Sequence, residues 1–274
     1  MKINNQPLYT LLLVVIVLFS ACKQEKETQT EETEVETEVE VETVESKITL
    51  EKLDQSPAYA DAVLQLQQPA ETNNLEGGDV DFVFQVENYE LGAQTQSPNA
   101  QSLANSGKGQ HIHFILNNQP YSAHYEGTFS KEIPDGVHHL VAFLSRSYHE
   151  SVKNKNSVVV KKLEVGANAT DSIGLDMEAP TLIYSRPKGT YVGKDTENLL
   201  LDFFVLNTTL AEGGNQVKAT INDTEFMISE WAPHVVKGLP MGEVTITLEL
   251  VDSSGNLIPG PFNTVTRTVT LKDE

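Results

Sequence analysis

The feature that most limits how this chain folds is a short-period alternation of apolar and polar residues that runs in two series, the second repeating the first. FVFQVENYEL at 82–91 corresponds to DFFVLNTTL at 202–210. GQHIHFILNNQPY at 109–121 corresponds to GNQVKATINDTEF at 214–226, and DGVHHLVAFL at 135–144 to MGEVTITLEL at 241–250. A period of two is that of a strand, whose successive side chains point to opposite faces. Turn signals bound the segments, among them Asn117-Asn118, Pro134-Asp135-Gly136 and Asp252-Ser253-Ser254-Gly255. Strands are predicted at 62–67, 80–91, 111–117, 121–126, 137–144 and 158–165. A second set is predicted at 181–185, 199–206, 216–222, 225–229, 244–251 and 264–271. No stretch carries the periodicity of an amphipathic helix.

Roughly seven short strands in each unit of about 100 residues imply an all-β fold of two tandem Ig-like β-sandwich domains. The first covers 47–165, a linker covers 166–180 and the second covers 181–274. Only the first unit carries a Gln/Ser/Asn/Ala/Gly-rich insertion, at 92–108. Loops of that length are usually functional or disordered.

Ahead of these units, residues 1–21 combine Lys2, an apolar run at 11–19 and the small pair Ser20-Ala21. The apolar run is about half the roughly 20 residues that a membrane span needs, so it reads as a signal peptide. Phe19-Ser20-Ala21-Cys22 resembles a bacterial lipobox in which the usual leucine is displaced to Leu18. Cys22, the sole cysteine, is then the lipidation site, and no thiol remains for a disulfide or for thiol catalysis. Residues 22–46 are dominated by Glu, Thr and Val, a composition that predicts a disordered acidic tether. The expected address is the cell envelope, as an outer-membrane lipoprotein facing the periplasm or exposed at the surface, with the membrane a partner through the lipid anchor. A formal charge of −20 argues against nucleic acid, which calls for a basic footprint.

Six of the 7 histidines fall within 110–151. The repeat orients them. Val217, Ala219 and Ile221 are the apolar set of one strand, and their counterparts Ile112, Phe114 and Leu116 are expected to face the core. His111 and His113 then face outward, and by the same comparison so does His139, with Val141 and Phe143, while His138 points inward to a hydrogen-bond partner. If 117–120 forms the hairpin turn, Leu116 pairs with Tyr121 and His113 lies opposite His124. His111, His113, His124 and His139 therefore form a candidate metal site on one outer face, suited to copper or zinc. Val141 and Phe143 beside them suit either a ligand patch or contact with a neighbouring domain.

The loop Arg146-Ser147-Tyr148-His149-Glu150-Ser151 offers a second candidate site. Arg146, Tyr148, His149 and Glu150 are suited to an anionic or aromatic ligand, a protein or peptide among them. A loop pinned by an Arg146–carboxylate pair is the alternative. Arg186 and Lys188 form an exposed basic element of the second unit, expected to face the first. Ser147, His149 and Glu150 lie too close in sequence for a catalytic triad, and no nucleophile-elbow motif occurs. A non-enzymatic binding module is the expectation, with a copper- or zinc-binding envelope protein or a structural subunit of an envelope complex as alternatives.

HIHFILNNQPY at 111–121, DGVHHLVAFLSRSYHESVKN at 135–154, YSRPKGTYVG at 184–193 and GPFNTVTRTVTL at 260–271 give the chain a resemblance to a family of uncharacterised Bacteroidota-type lipoproteins with tandem Ig-like modules. Relatives carry Pro-Trp where Ser147-Tyr148 stand here. The resemblance implies an anchored envelope protein, and the phosphopeptide-binding label attached to similar proteins points toward Arg146 and Arg186.

Overall fold

The computed structural model describes residues 47–274; the signal peptide, Cys22 and the acidic tether lie outside the described residues. In chain order the first strands are β1 (Thr49–Lys52), β2 (Val63–Gln68), β3 (Gly78–Glu87), β4 (His111–Leu116), β5 (Ser122–His124), β6 (Thr128–Ile133), β7 (Gly136–Ser145) and β8 (Val158–Val165). They are followed by β9 (Thr181–Arg186), β10 (Thr190–Val192), β11 (Leu199–Leu206), β12 (Gln216–Ile221), β13 (Thr224–Ile228), β14 (His234–Lys237), β15 (Gly242–Val251) and β16 (Thr264–Lys272). One short helix, α1 (Asn99–Ser102), lies inside the insertion.

The strands form two sandwiches. The first packs the sheet β2-β3-β6 on the sheet β5-β4-β7-β8. Its core holds Phe82, Phe114, Leu140 and Leu163, the inward set that the alternation predicts. The second packs β1-β14-β11-β9 on β10-β16-β15-β12-β13, around Leu201, Phe203, Val217 and Ile246. The repeat extends to single residues. Asn117 and Asn222 both adopt positive φ, 51° and 50°, a region that asparagine tolerates. Each accepts an amide N–H from the neighbouring strand, from His139 and Thr245 respectively.

Two arrangements differ from the sequence expectation. Residues 47–52 do not belong to the first unit, because β1 pairs with β14 at the edge of the second sandwich, Leu50 opposite Val236. Alternation marks a strand but does not say which sheet it joins. Second, the insertion is ordered: Asn99 donates to Asp54 O, and Leu103 packs under Tyr148.

The middle two sheets are apolar on both faces. Strand β7 is buried along nearly its whole length, and β11 likewise. On β11, Leu201 and Phe203 enter the core of the second sandwich, while Phe204 faces the other way. Phe204 and Ile183 meet Ile115, Val141 and Phe143 of the first sandwich, all fully buried. The outward Val141 and Phe143 are thus a contact between the two sandwiches.

Candidate functional site

The site stands at this junction. Ile112 and Phe114 of β4 enter the core, so His111 and His113 emerge on the opposite face and are buried there by the second sandwich. After β7, the chain turns back on itself. Arg146 N–H donates to Glu150 O at 2.8 Å, and His149 N–H to Arg146 O at 2.8 Å. His149 sits in the left-handed region, φ 70°, and its ring swings over β4. Its Nδ1 comes 3.1 Å from His111 Nε2, which lies 2.9 Å from His113 Nε2. One nitrogen from each of the three rings falls within 4.8 Å of the others.

The surroundings fix how these rings are held. His111 Nδ1 lies 2.8 Å from Gly109 O, and a carbonyl only accepts, so Nδ1 carries the proton and Nε2 keeps a bare lone pair. His113 Nδ1 lies 3.2 Å from Ser185 Oγ of β9. Tyr121 stacks on His113 with centroids 3.5 Å apart, and its hydroxyl is 3.2 Å from His149 Nδ1. Lys188 covers that tyrosine, Nζ 4.2 Å from the ring centre, and donates to Tyr121 O at 2.6 Å. The guanidinium of Arg186 lies 5.4 Å from the same ring. Burial lowers the His111 pKa to about 4, with Arg186 adding repulsion. Burial likewise holds His113 and His149 well below the ordinary imidazole range, with Arg186 and Lys188 both opposing their protonation. Three neutral imidazoles with converging nitrogens form a donor set for a metal ion.

Two of the four predicted metal ligands lie elsewhere. His124 is out of register: Ile112, not His113, stands opposite it. A one-residue shift moves a side chain to the other face, and His124 stacks on Phe129 with centroids 3.4 Å apart. The cause lies in the turn. Gln119 N–H bonds to Leu116 O, closing a tight turn on Asn117-Asn118, and Pro120 then has no N–H for the ladder, so β5 resumes one residue out of step. His139 has the expected parity but the wrong end of the strand. Phe143 stands opposite His113, and four residues back along β7 is about 13 Å. There His139 stacks against Phe262. His138 points inward as expected, bonded to Asn117 and Pro134 O at 2.9 and 2.8 Å.

The loop candidates divide. His149 joins the cluster. Arg146 and Glu150 are turned inward as a buried ion pair at 3.0 Å, with Arg146 also donating to Ser151 O and Pro57 O. Tyr148 is buried and donates to Ser56 Oγ at 2.9 Å. The polar groups of these three, predicted as ligand contacts, are engaged in holding the loop. Arg186 faces the first sandwich, beside the histidines. Ser185, Lys188 and Tyr121 are members of the site that alternation did not nominate, although the motifs at 111–121 and 184–193 contain them. A cleft of about 910 Å³ also opens between the sandwiches, walled by Val158, Val160, Phe204, Leu206 and Trp231, and shares no residue with the cluster.

No family model matches the chain, and no curated protein matches it. Among solved structures it is similar to the fibronectin(III)-like modules of Clostridium thermocellum CbhA, at 11% identity and a TM-score of 0.27 over 77% of this chain and 95% of that one. The central fibronectin-III array of RIM-binding protein matches at 11% identity and a TM-score of 0.27, over 81% of this chain and 72% of that one. SGBP-B of the Bacteroides ovatus mixed-linkage glucan utilization locus, solved in complex with a mixed-linkage heptasaccharide, matches at 7% identity and a TM-score of 0.22, over 76% of this chain and 70% of that one.

Proposed function

We propose that this chain is a non-enzymatic binding protein of the cell envelope, anchored through acylated Cys22, and that its ligand is a copper or zinc ion held by His111, His113 and His149. The observation that carries the reading is the convergence of three imidazole nitrogens within 4.8 Å. The far nitrogens of two of those rings are held by Gly109 O and Ser185 Oγ. Fixing the distal nitrogen of a liganding histidine sets its tautomer and aim, and metal sites use such outer partners widely. The aromatic walls favour holding an ion over turning over a substrate, because catalytic sites keep an open position. His149 and Tyr125 are only half-buried, so an ion reaches the cluster from their side. The lipobox at 19–22 and the family resemblance support the envelope address.

The test is elemental analysis of untagged protein. Close to one copper or zinc per chain is expected, lost in His149→Ala and His113→Ala and kept in His124→Ala and His139→Ala. A metal-free protein that also fails to take up either ion when titrated would remove the reading.

A further inference from the structure

Resting on that reading, the surroundings of the cluster narrow the ion. We infer that the site is built for univalent copper, Cu(I), on three imidazoles, and that Arg186 and Lys188 select against divalent ions.

Three observations carry this. First, the donor set is neutral and three-fold. Among the described residues, the group of converging ligand atoms contains three histidines and no carboxylate or thiolate. Zinc on three histidines takes a water or substrate as its fourth ligand, whereas Cu(I), a closed-shell univalent ion, is satisfied by two or three nitrogen donors. Second, rings line the remaining directions, with entry left on the side of half-buried His149 and Tyr125. Tyr121 stacks on His113 at 3.5 Å, Phe143 lies 5.2 Å from the same ring, and Tyr125 lies 5.0 Å from His111.

Third, the fixed charges at the site are positive and unneutralised. Arg186 is 7% exposed and pairs with no carboxylate among the described residues. One of its nitrogens, Nη1, donates to Tyr191 Oη at 2.9 Å, and its Nε has no hydrogen-bond partner among the described residues. Lys188 is spent on the Tyr121 carbonyl and ring, neither of which cancels its charge. Two buried carboxylates of the junction are engaged with other groups: Glu150 with Arg146 and Ser56, and Asp202, the cross-strand neighbour of Arg186, with Lys153 and Ser151. Repulsion between an ion and a fixed cation scales with the ion's charge. At an effective dielectric near 20, each extra unit of ionic charge several ångströms from such a cation weakens binding by on the order of tenfold or more. Zinc carries that extra unit against both cations.

The experiment is a pair of competition titrations on apo protein: Cu(I) against a colorimetric chelator under anaerobic reducing conditions, and Zn(II) against a fluorescent one. Wild type is expected to bind one Cu(I) per chain and to bind Zn(II) at least ~100-fold more weakly. Lys188 is exposed, so Lys188→Gln is expected to keep its fold, which circular dichroism checks. That change should raise Zn(II) affinity about 100-fold and Cu(I) affinity only about tenfold, the square root of the same factor, so the ratio moves about tenfold. Arg186→Gln should move the ratio the same way. Zinc bound as tightly as Cu(I), or a ratio unmoved in folded Lys188→Gln, overturns the selectivity and leaves the metal site standing. Folded wild type that binds neither ion overturns the metal site itself.

Discussion

His139 shows what a misplaced histidine costs. It is 3% exposed, its Nδ1 has no hydrogen-bond partner among the described residues, and burial lowers its pKa from 6.5 to about 4. The unfolded chain therefore takes up a proton that the folded chain refuses. Stability from this group is intact above pH 6.5 and drains away as the pH falls to 4, by about 3 kcal/mol in all. His139→Phe, which keeps the stack on Phe262, should flatten that acid limb by the same amount in urea titrations run at pH 7 and pH 4. Equal acid losses in the two proteins would show that His139 does not drive the limb. A second residue-scale test concerns Gly109, whose carbonyl orients His111. Its φ is +83°, and a Cβ there would meet Gly92 O at 2.3 Å and Ala93 O at 2.5 Å. Gly109→Ala should cost about 1–3 kcal/mol and weaken metal binding together with it; an unchanged denaturation midpoint would contradict the close approach. At this scale alternation located His111 and His113 and their face. It could not place His124, because the step introduced at Pro120 is a property of turn geometry. Nor could it bring in His149, whose approach depends on one positive φ in a loop.

Among the elements, most strands of both units were legible from their period, though β1, β6, β10 and β14 were not, and the repeated asparagines marked equivalent turns. Which sheet each strand enters was not. Strand β1 is the clear case: no strand is predicted at 49–52, yet these residues close an edge of the second sandwich, with Ile48 and Leu50 packed on the second core. Leu50→Ala is therefore expected to cost about 1–2 kcal/mol, less than a fully buried leucine because Leu50 is half-buried. Amide exchange should report local opening in β14, its partner, while β3 of the first sandwich quickens only as far as global stability falls. Faster exchange confined to the first sandwich would mean that β1 belongs where the sequence order suggests.

For the whole molecule, the decisive fact is that the contact between the sandwiches resembles a core rather than a hinge. Ile115, Val141, Phe143, Ile183 and Phe204 are all 0% exposed, and Asp202 of the second sandwich accepts from Ser151 of the first at 3.0 Å. Interfaces that are small and polar leave domains independent, whereas large apolar ones tie them together. The two sandwiches should accordingly unfold as one cooperative unit, which also explains how a site can draw histidines from one and cations from the other. The sole tryptophan reads this out. Trp231 lies 5.0 Å from Phe204, edge to face, and donates its indole N–H to Phe203 O at 2.8 Å. In wild type, tryptophan fluorescence and far-ultraviolet circular dichroism should therefore trace a single coincident transition. Phe204→Ala empties the middle of the contact at a cost of about 3–5 kcal/mol. Its removal should bring the fluorescence transition forward, ahead of the loss of strand signal, as the sandwiches part before they melt. Two separate transitions already present in wild type would show instead that the sandwiches are joined too weakly to hold a shared site in register.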